Sequence, residues 1–494
     1  MKKLSVNIIT SLLLQICTII SGLIIPRLIL QTFGSTVNGL VSSINQFSNY
    51  IILLEGGVSS VMLANLYQPL YEKNIPKLSS VFAAMNRFFR RISLIFLVYQ
   101  ILLAIVYPFL VDTGFQWKYV FSLTLILGIN LFVQYNFSIS LRLLLEADNK
   151  LYITKIVQII IVVLNTVFVY IGIKIYPDIH IVKLITAAVY LLQPLCYHYF
   201  VSKEYDIDKT AIPDSAAIKQ RWDGFGINLA AFMHNNTDIV ILTFFTSLIT
   251  VSVYNVYLYV VSGIKQLVIG ILAGFIPVLG RTIAMGDKEK LNKFFQKYEF
   301  FSAAIVTFSF ALGSMLIIPF ERFYTRNIHD AEYIQPVFAV LMLLAEGFYC
   351  MREPYVELAY QSNKFKEIKK YAYIEALINI LISLLLVSKF ELLGVAVGTL
   401  AAMFYRTVFH VIYAVQLLGR KLSFMKYLLA FGSSSLIANI IIRLLPIYQT
   451  GSNLGFVFLV VCSFFILILL HMLAVLLFFP DKLRAFNQFN FKSK

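Results

Sequence analysis

Residues 149–165, NKLYITKIVQIIIVVLN, open with an Asn-Lys pair, continue as a mostly apolar run and place a second Asn, Asn165, sixteen residues after the first. The pattern returns at 363–379, NKFKEIKKYAYIEALIN, where Asn363-Lys364 is followed sixteen residues later by Asn379, so the offset between copies is 214 at all three positions. In each copy a basic loop leads into a helix with a buried amide about four turns in. A second, looser match joins Asn7 and Asn228, each early in a run that hands over through a short turn to an unusually long second helix. Two halves in the same orientation follow, related by an axis along the membrane normal.

The rest of the chain fits around these two helices. A membrane-crossing helix needs ~20 mostly apolar residues. By that measure about fourteen spans are predicted, near 6–31, 38–66, 92–111, 118–137, 152–173, 180–201, 223–245, 250–277, 299–319, 332–351, 371–388, 393–417, 427–446 and 455–479. With the N-terminus inside, only Lys118, Lys174, Arg322, Arg326 and Lys389 of the 41 Lys and Arg fall in outer loops, and Arg27, Lys155, Lys183, Lys265, Arg406 and Arg443 fall within spans. All others lie in inner segments, as the positive-inside rule requires. The expectation is an all-α, multi-pass protein of the bacterial cytoplasmic membrane with both termini cytoplasmic. Residues 1–201 form a first six-helix bundle, 202–222 a cytoplasmic linker marked by charges and Pro213, 223–417 a second six-helix bundle, and 418–494 an appended helix pair with a tail.

Composition agrees, with 59% hydrophobic and 13% charged residues, and helices must carry such a chain because backbone groups cannot go unpaired in hydrocarbon. The net charge of +16 is spread over short inner segments, which suits anionic lipid head groups rather than nucleic acid. Cys17, Cys196, Cys350 and Cys462 all lie inside predicted spans without close spacing and read as small apolar packers. The first apolar run is too long for a cleaved signal and lacks a small-residue cleavage site. No Gly-rich loop followed by Lys-Ser or Lys-Thr is present, and the six histidines lack the i, i+4 pairing of a zinc site. The longest outer loop, around 320–331, holds Glu321, Arg322, Arg326, His329 and Asp330 but leaves little room to enclose a substrate. Catalysis has no visible home there, and no cofactor is expected beyond H+ or Na+ as a coupling ion.

A charge near the bilayer centre costs ~2.5–3.5 kcal/mol on insertion scales, so each is a functional candidate. Lys155, Lys183, Glu375 and Arg443 sit within about two turns of helix ends and are expected to reach the interface. The deep set is Arg27, Glu55, Asp238, Lys265, Glu346 and Arg406. Lys265 and Arg406 fall near the midplane of one half, and two readings stand. They present positive charge to a wet cavity suited to a diphosphate or acidic sugar, or Glu346 neutralises them as a buried ion pair. The seventh span carries His234, Asn235, Asn236, Thr237 and Asp238 in one run, which cannot all face lipid. Asp238 and Glu55 are candidates for ion coupling. Arg27 follows Pro26, where the helix is expected to break, although reaching the interface explains Arg27 equally well. Asn45, Gln46, Ser48 and Asn49 precede Glu55-Gly56-Gly57, a spacing that suits sugar hydroxyls or interhelical hydrogen bonds alike.

Residues 25–58, IPRLILQTFGSTVNGLVSSINQFSNYIILLEGGV, with Gly34 and Gly39, together with Asn149-Lys150 at the start of the fifth span, resemble the bacterial polysaccharide-export proteins, the O-antigen and capsule repeat-unit flippases. Those belong to the multidrug/oligosaccharidyl-lipid/polysaccharide (MOP) exporter superfamily, which also holds lipid II flippases and MATE drug exporters. The resemblance implies a V-shaped, MATE-like pair of six-helix bundles plus two C-terminal helices, alternating between inward-open and outward-open states. It implies an undecaprenyl-diphosphate-linked oligosaccharide as cargo, with membrane lipids, a polysaccharide polymerase and glycosyltransferases as partners. It places Arg27 and Lys265 on the spans whose cations serve the diphosphate in lipid II flippases. Arg406 joins them as an anion contact, with Asn45, Asn49 and Asn235 as substrate contacts. The rivals are a MATE-type cation exporter, which two midplane basic residues would disfavour, and a membrane-embedded glycan polymerase or transferase.

Overall fold

The computed structural model describes residues 2–55, 58–208, 210–214, 225–449 and 452–480. Its helices are α1 (Lys2–Ser48), α2 (Ile51–Glu55), α3 (Val58–Tyr71), α4 (Ile75–Leu110), α5 (Trp117–Val133), α6 (Ile139–Ala147), α7 (Leu151–Ile175), α8 (Ile179–Glu204), α9 (Phe225–Phe245), α10 (Leu248–Leu272), α11 (Ile276–Ala284), α12 (Lys288–Tyr324), α13 (Pro336–Met351), α14 (Glu353–Gln361), α15 (Phe365–Phe390), α16 (Leu392–Leu418), α17 (Phe424–Leu444) and α18 (Asn453–Phe478). Among the described residues, eleven helical stretches are long and apolar enough to cross a membrane. The first of them contains a break at Gly34 and counts twice, and the apolar helices α9 and α13 complete the fourteen that the sequence predicts. Leu195, Leu385 and Leu477 are 65–79% exposed on these helices, a surface that only hydrocarbon solvates. The chain is therefore a multi-pass membrane protein.

The break in α1 corrects one expectation. The helix runs through Pro26 and stops being helical at Gly34, whose φ of 82° lies in the left-handed region that side chains disfavour. A break at the ring would free further backbone groups in hydrocarbon, so the helix is kept through it at the loss of the one bond that proline cannot donate. The long second helix expected in each half is segmented in both. After Ser48 a turn precedes α2, and after Leu272 a 3-10 turn, Ala273–Phe275, precedes α11.

The sequence repeat is a backbone repeat. Asn149 and Asn363 adopt φ of 55° and 57°. Behind them the Lys150 N–H donates to the Leu145 carbonyl, and the Lys364 N–H to the Ala359 carbonyl, each at 2.9 Å. Both are left-handed caps that close one helix and start the next two residues later, and Asn is among the few side chains that tolerate this handedness. Asn165 and Asn379 are both buried, as the spacing predicts. In the first copy burial works against the Lys150 charge, but Asp148, Glu204 and Tyr205 outweigh it and hold the ammonium above its ordinary range. Asn363→Val is expected to lower stability by about 1–2 kcal/mol and Asn363→Gly to be nearly neutral, as read by thermal unfolding in detergent.

Contacts divide the chain into two compact units, Met1–Val256 and Tyr257–Lys494, the division falling inside α10. In the first, Met62, Phe89, Leu144, Val157 and Tyr197 form one buried cluster, and Leu40, Ile44, Val120 and Leu123 another. In the second, Met315, Ala438, Ile442 and Leu467 join α12, α17 and α18. There α15 and α16 form a close hairpin through Gly394 and Gly398. A Cβ on Gly398 would lie 2.2 Å from Ser383 Oγ, and one on Gly394 2.6 Å from the Leu386 carbonyl carbon. Four-residue spacing of small residues is what lets membrane helices approach this closely.

Candidate functional site

In the first unit, the segment of α1 beyond Gly34 is a polar ridge turned toward α9 and the start of α10. Asn38 Nδ2 donates to Ser252 Oγ at 2.9 Å, the Ser43 and Thr243 hydroxyls lie 2.8 Å apart, and Tyr107 OH donates to Ser43 at 2.7 Å. Gln46 Nε2 donates to the Asn236 carbonyl at 3.1 Å and to its side-chain oxygen. Of the amides in 45–49, Gln46 makes the interhelical contact. Asn45 and Asn49 stay half-buried at the helix end, with the Asn49 N–H donating to the Asn45 carbonyl at 3.0 Å. The side chains of His234 and Asn235, Gly56-Gly57 and most of the 202–222 segment beyond Asp214 lie outside the described residues.

Both carboxylates singled out in this unit have phenol partners. Asp238 is buried and accepts from Tyr254 OH at 2.9 Å. Glu55 accepts from Ser59 and, at 3.0 Å, from Tyr135 OH. Tyr135 sits in the π-turn Gln134–Ser138, the kind of one-residue bulge that re-aims a side chain and recurs at functional sites. Arg27 is half-buried within the continuous part of α1.

The second unit holds the largest assembly of buried charge seen among the described residues. Lys265 Nζ on α10 lies 2.9 Å from Glu346 Oε2 on α13 and 3.8 Å from the centre of the Tyr349 ring. The Arg352 guanidinium lies 4.1 Å from that same ring centre and 3.5 Å from Glu375 Oε2. Arg406 Nη1 bonds Glu375 as well, and its backbone carbonyl is 2.7 Å from His410 Nδ1. Of the two readings open for Lys265, the ion pair with Glu346 is the one this structure holds, while Arg406 is matched by Glu375 instead. One expectation is corrected here. Glu375 does not reach the interface but is 1% exposed, and Arg352, in the turn between α13 and α14, is buried with it. A buried guanidinium without a carboxylate is far costlier than a lost interfacial contact, so each side chain is drawn inward by the other. The i, i+3 spacing of Glu346, Tyr349 and Arg352 on one helix face is the signal that would have found the cluster. Beside it, a mostly apolar groove of about 460 Å³ runs between α12, α13 and α17, past Thr307, Phe310, Gly347 and Asn439.

No family model and no curated protein matches the sequence. Among solved structures, the chain is similar to the lipid II flippase MurJ in an inward closed conformation, at 16% identity and a TM-score of 0.75 over 96% of this chain and 100% of that one. An inward-facing MATE-family multidrug transporter of the MOP superfamily matches at 15% identity and 0.63 over 82% of this chain and 94% of its own. The fold is the one these two transporters have. The MATE multidrug transporter DinF-BH, solved in complex with a ligand, is similar at 15% identity and a TM-score of 0.63, over 84% of this chain and 95% of its own. At such identities the likeness is one of fold, and the side chains of this protein must be argued from their own contacts.

Proposed function

We propose that this MOP-fold protein is a flippase that moves undecaprenyl-diphosphate-linked oligosaccharide repeat units from the inner to the outer leaflet of the bacterial cytoplasmic membrane. It works by alternating access, coupled to H+ or Na+, with both termini cytoplasmic. The observation that carries this reading is the match to a lipid II flippase across 96% of the chain, against 82% for the MATE transporter. The physical requirement agrees. A diphosphate and its sugars cannot enter hydrocarbon bare, so the protein must offer cations and amides along the way while the lipid tail stays outside. Glycosyltransferases would supply the loaded carrier and a polysaccharide polymerase would consume it.

Lys265 is the principal anion contact in this reading. Its side chain keeps 13% exposure, and Glu346 holds the position that a phosphate oxygen would take. Exchange of one anion for the other lets the ammonium stay paired through the cycle, where leaving it bare would cost several kcal/mol. Arg27 and Arg406 are further anion contacts, Arg406 once it parts from Glu375. Asn45, Asn49 and Asn235 are assigned to sugar hydroxyls, and Asp238 or Glu55 to ion coupling.

The test uses proteoliposomes holding purified protein and a fluorescent lipid-linked oligosaccharide, with the leaflet read by an impermeant quencher. Wild type is expected to turn the head group over, and Lys265→Gln to slow it roughly tenfold or more, the value of one charged hydrogen bond. Efflux of organic cations without head-group turnover would replace this reading with that of a drug exporter.

A further inference from the structure

The last turn of α12 holds a carboxylate that the transport reading leaves unused. Glu321 falls inside the helix rather than in the outer loop expected around 320–331, and it is 0% exposed. Neither of its side-chain oxygens has a hydrogen-bond partner among the described residues. Residues 325–335, the strap that joins this end of α12 to α13, are tied down at both ends. The Thr325 hydroxyl donates to the Glu321 carbonyl at 2.7 Å, Tyr257 OH donates to the Tyr333 carbonyl at 2.7 Å, and the Gln335 N–H donates back to Tyr257 OH at 2.9 Å. Tyr257 is fully buried and meets Phe338 edge-on at 5.2 Å. Its phenol lies within electrostatic range of the Glu321 carboxyl.

The charged and titratable groups on the surrounding elements are few. Arg322 is on the same helix, and the strap carries Arg326, His329, Asp330 and Glu332, all five of them exposed. The buried phenols Tyr324 and Tyr333 follow on the same helix and on the strap, Tyr257, Tyr259 and then Lys265 are on α10, Glu346 is the first charge on α13, Arg443 closes α17, and α18 offers Cys462 and His471. None of these is hydrogen-bonded or ion-paired to Glu321 among the described contacts. An ionised carboxylate here would lose its hydration with nothing in exchange, a cost of several kcal/mol. A neutral acid leaves only a hydroxyl and a carbonyl unmatched, a far smaller cost.

We infer that Glu321 is a proton-binding site, loaded as the neutral acid beneath the strap and discharged to water when the strap lifts. In that step the carboxyl O–H bond breaks, the electron pair stays on the carboxylate and the proton passes to an entering water molecule. The site deepens the flippase reading by naming the proton as coupling ion, and rests on that reading only for the use made of the proton.

Infrared difference spectroscopy on the full-length protein in nanodiscs tests the site directly. Wild type minus Glu321→Gln, a nearly isosteric pair, is expected to show at neutral pH a carboxylic-acid carbonyl band that shifts in deuterated buffer. Absence of that band overturns the inference. Tyr257→Phe deletes both hydroxyl contacts of the strap, so the band should titrate away at lower pH as water enters, and an unmoved titration overturns the role of the strap. In proteoliposomes, Glu321→Gln should lose acceleration by a pH gradient yet retain gradient-free turnover. Undiminished acceleration overturns coupling through Glu321. Failure of wild type to turn over any lipid-linked saccharide would instead remove the flippase reading, with the infrared band still standing.

Discussion

Glu375→Gln is expected to destabilise the second unit by about 3–5 kcal/mol, the usual result of removing one member of a buried ion pair. Glu375 is 1% exposed and meets both Arg406 and Arg352, so a single substitution strips the counter-charge from two buried guanidiniums. Glutamine keeps the shape and offers an amide oxygen, but no charge. Thermal unfolding in detergent, followed by tryptophan-independent dye binding, reads the loss. Arg352→Met together with Arg406→Met in the Glu375→Gln background should recover much of it, because the uncompensated charge is then gone. An unchanged midpoint for the single variant would mean that the guanidiniums find their partners elsewhere.

Gly39→Val is expected to cost about 3 kcal/mol or more, at or beyond the upper end of ordinary overpacking. A Cβ at Gly39 would lie 1.8 Å from the Leu248 carbonyl oxygen and 2.7 Å from its carbon. The obstacle is backbone at the start of α10, so no rotamer change relieves it. The displaced segment carries Asn38 and Ser43, and their contacts to Ser252 and Thr243 should fail with it. Protease accessibility of the 246–248 turn, beside the unfolding midpoint, distinguishes this local separation from general loss of fold. Gly22, whose Cβ would meet nothing within 4 Å, is the control, and Gly22→Ala should be silent.

The architecture was legible because hydrocarbon imposes it. Span length follows from bilayer thickness, and the basic loops follow from insertion. The Asn149 and Asn363 motifs were legible for another reason: a left-handed backbone accepts few side chains, so geometry leaves a mark on the sequence. Pairing was not legible. Glu375 lies ten residues, about 15 Å, into α15, which by counting alone looks close enough to the surface to escape. Its partner Arg352 stands between Met351 and Glu353, where α13 gives way to α14, and so reads as loop. Nothing in one dimension says that these two meet. Gly394 and Gly398 were likewise visible as letters but not as a contact, since the partner is the backbone of another helix. The break at Gly34 rather than Pro26 has the same origin, because the ring announces a local conflict while the fold decides whether to yield to it.

The matching left-handed caps at Asn149 and Asn363 bear on ancestry. If a shorter forebear of about six helices was copied end to end, most of its letters were free to drift, because one oily residue replaces another at little cost. A hook that reverses the handedness of the main chain had almost no such freedom. These two asparagines would then be the oldest legible seam between the copies, preserved by stereochemistry after resemblance elsewhere had worn away.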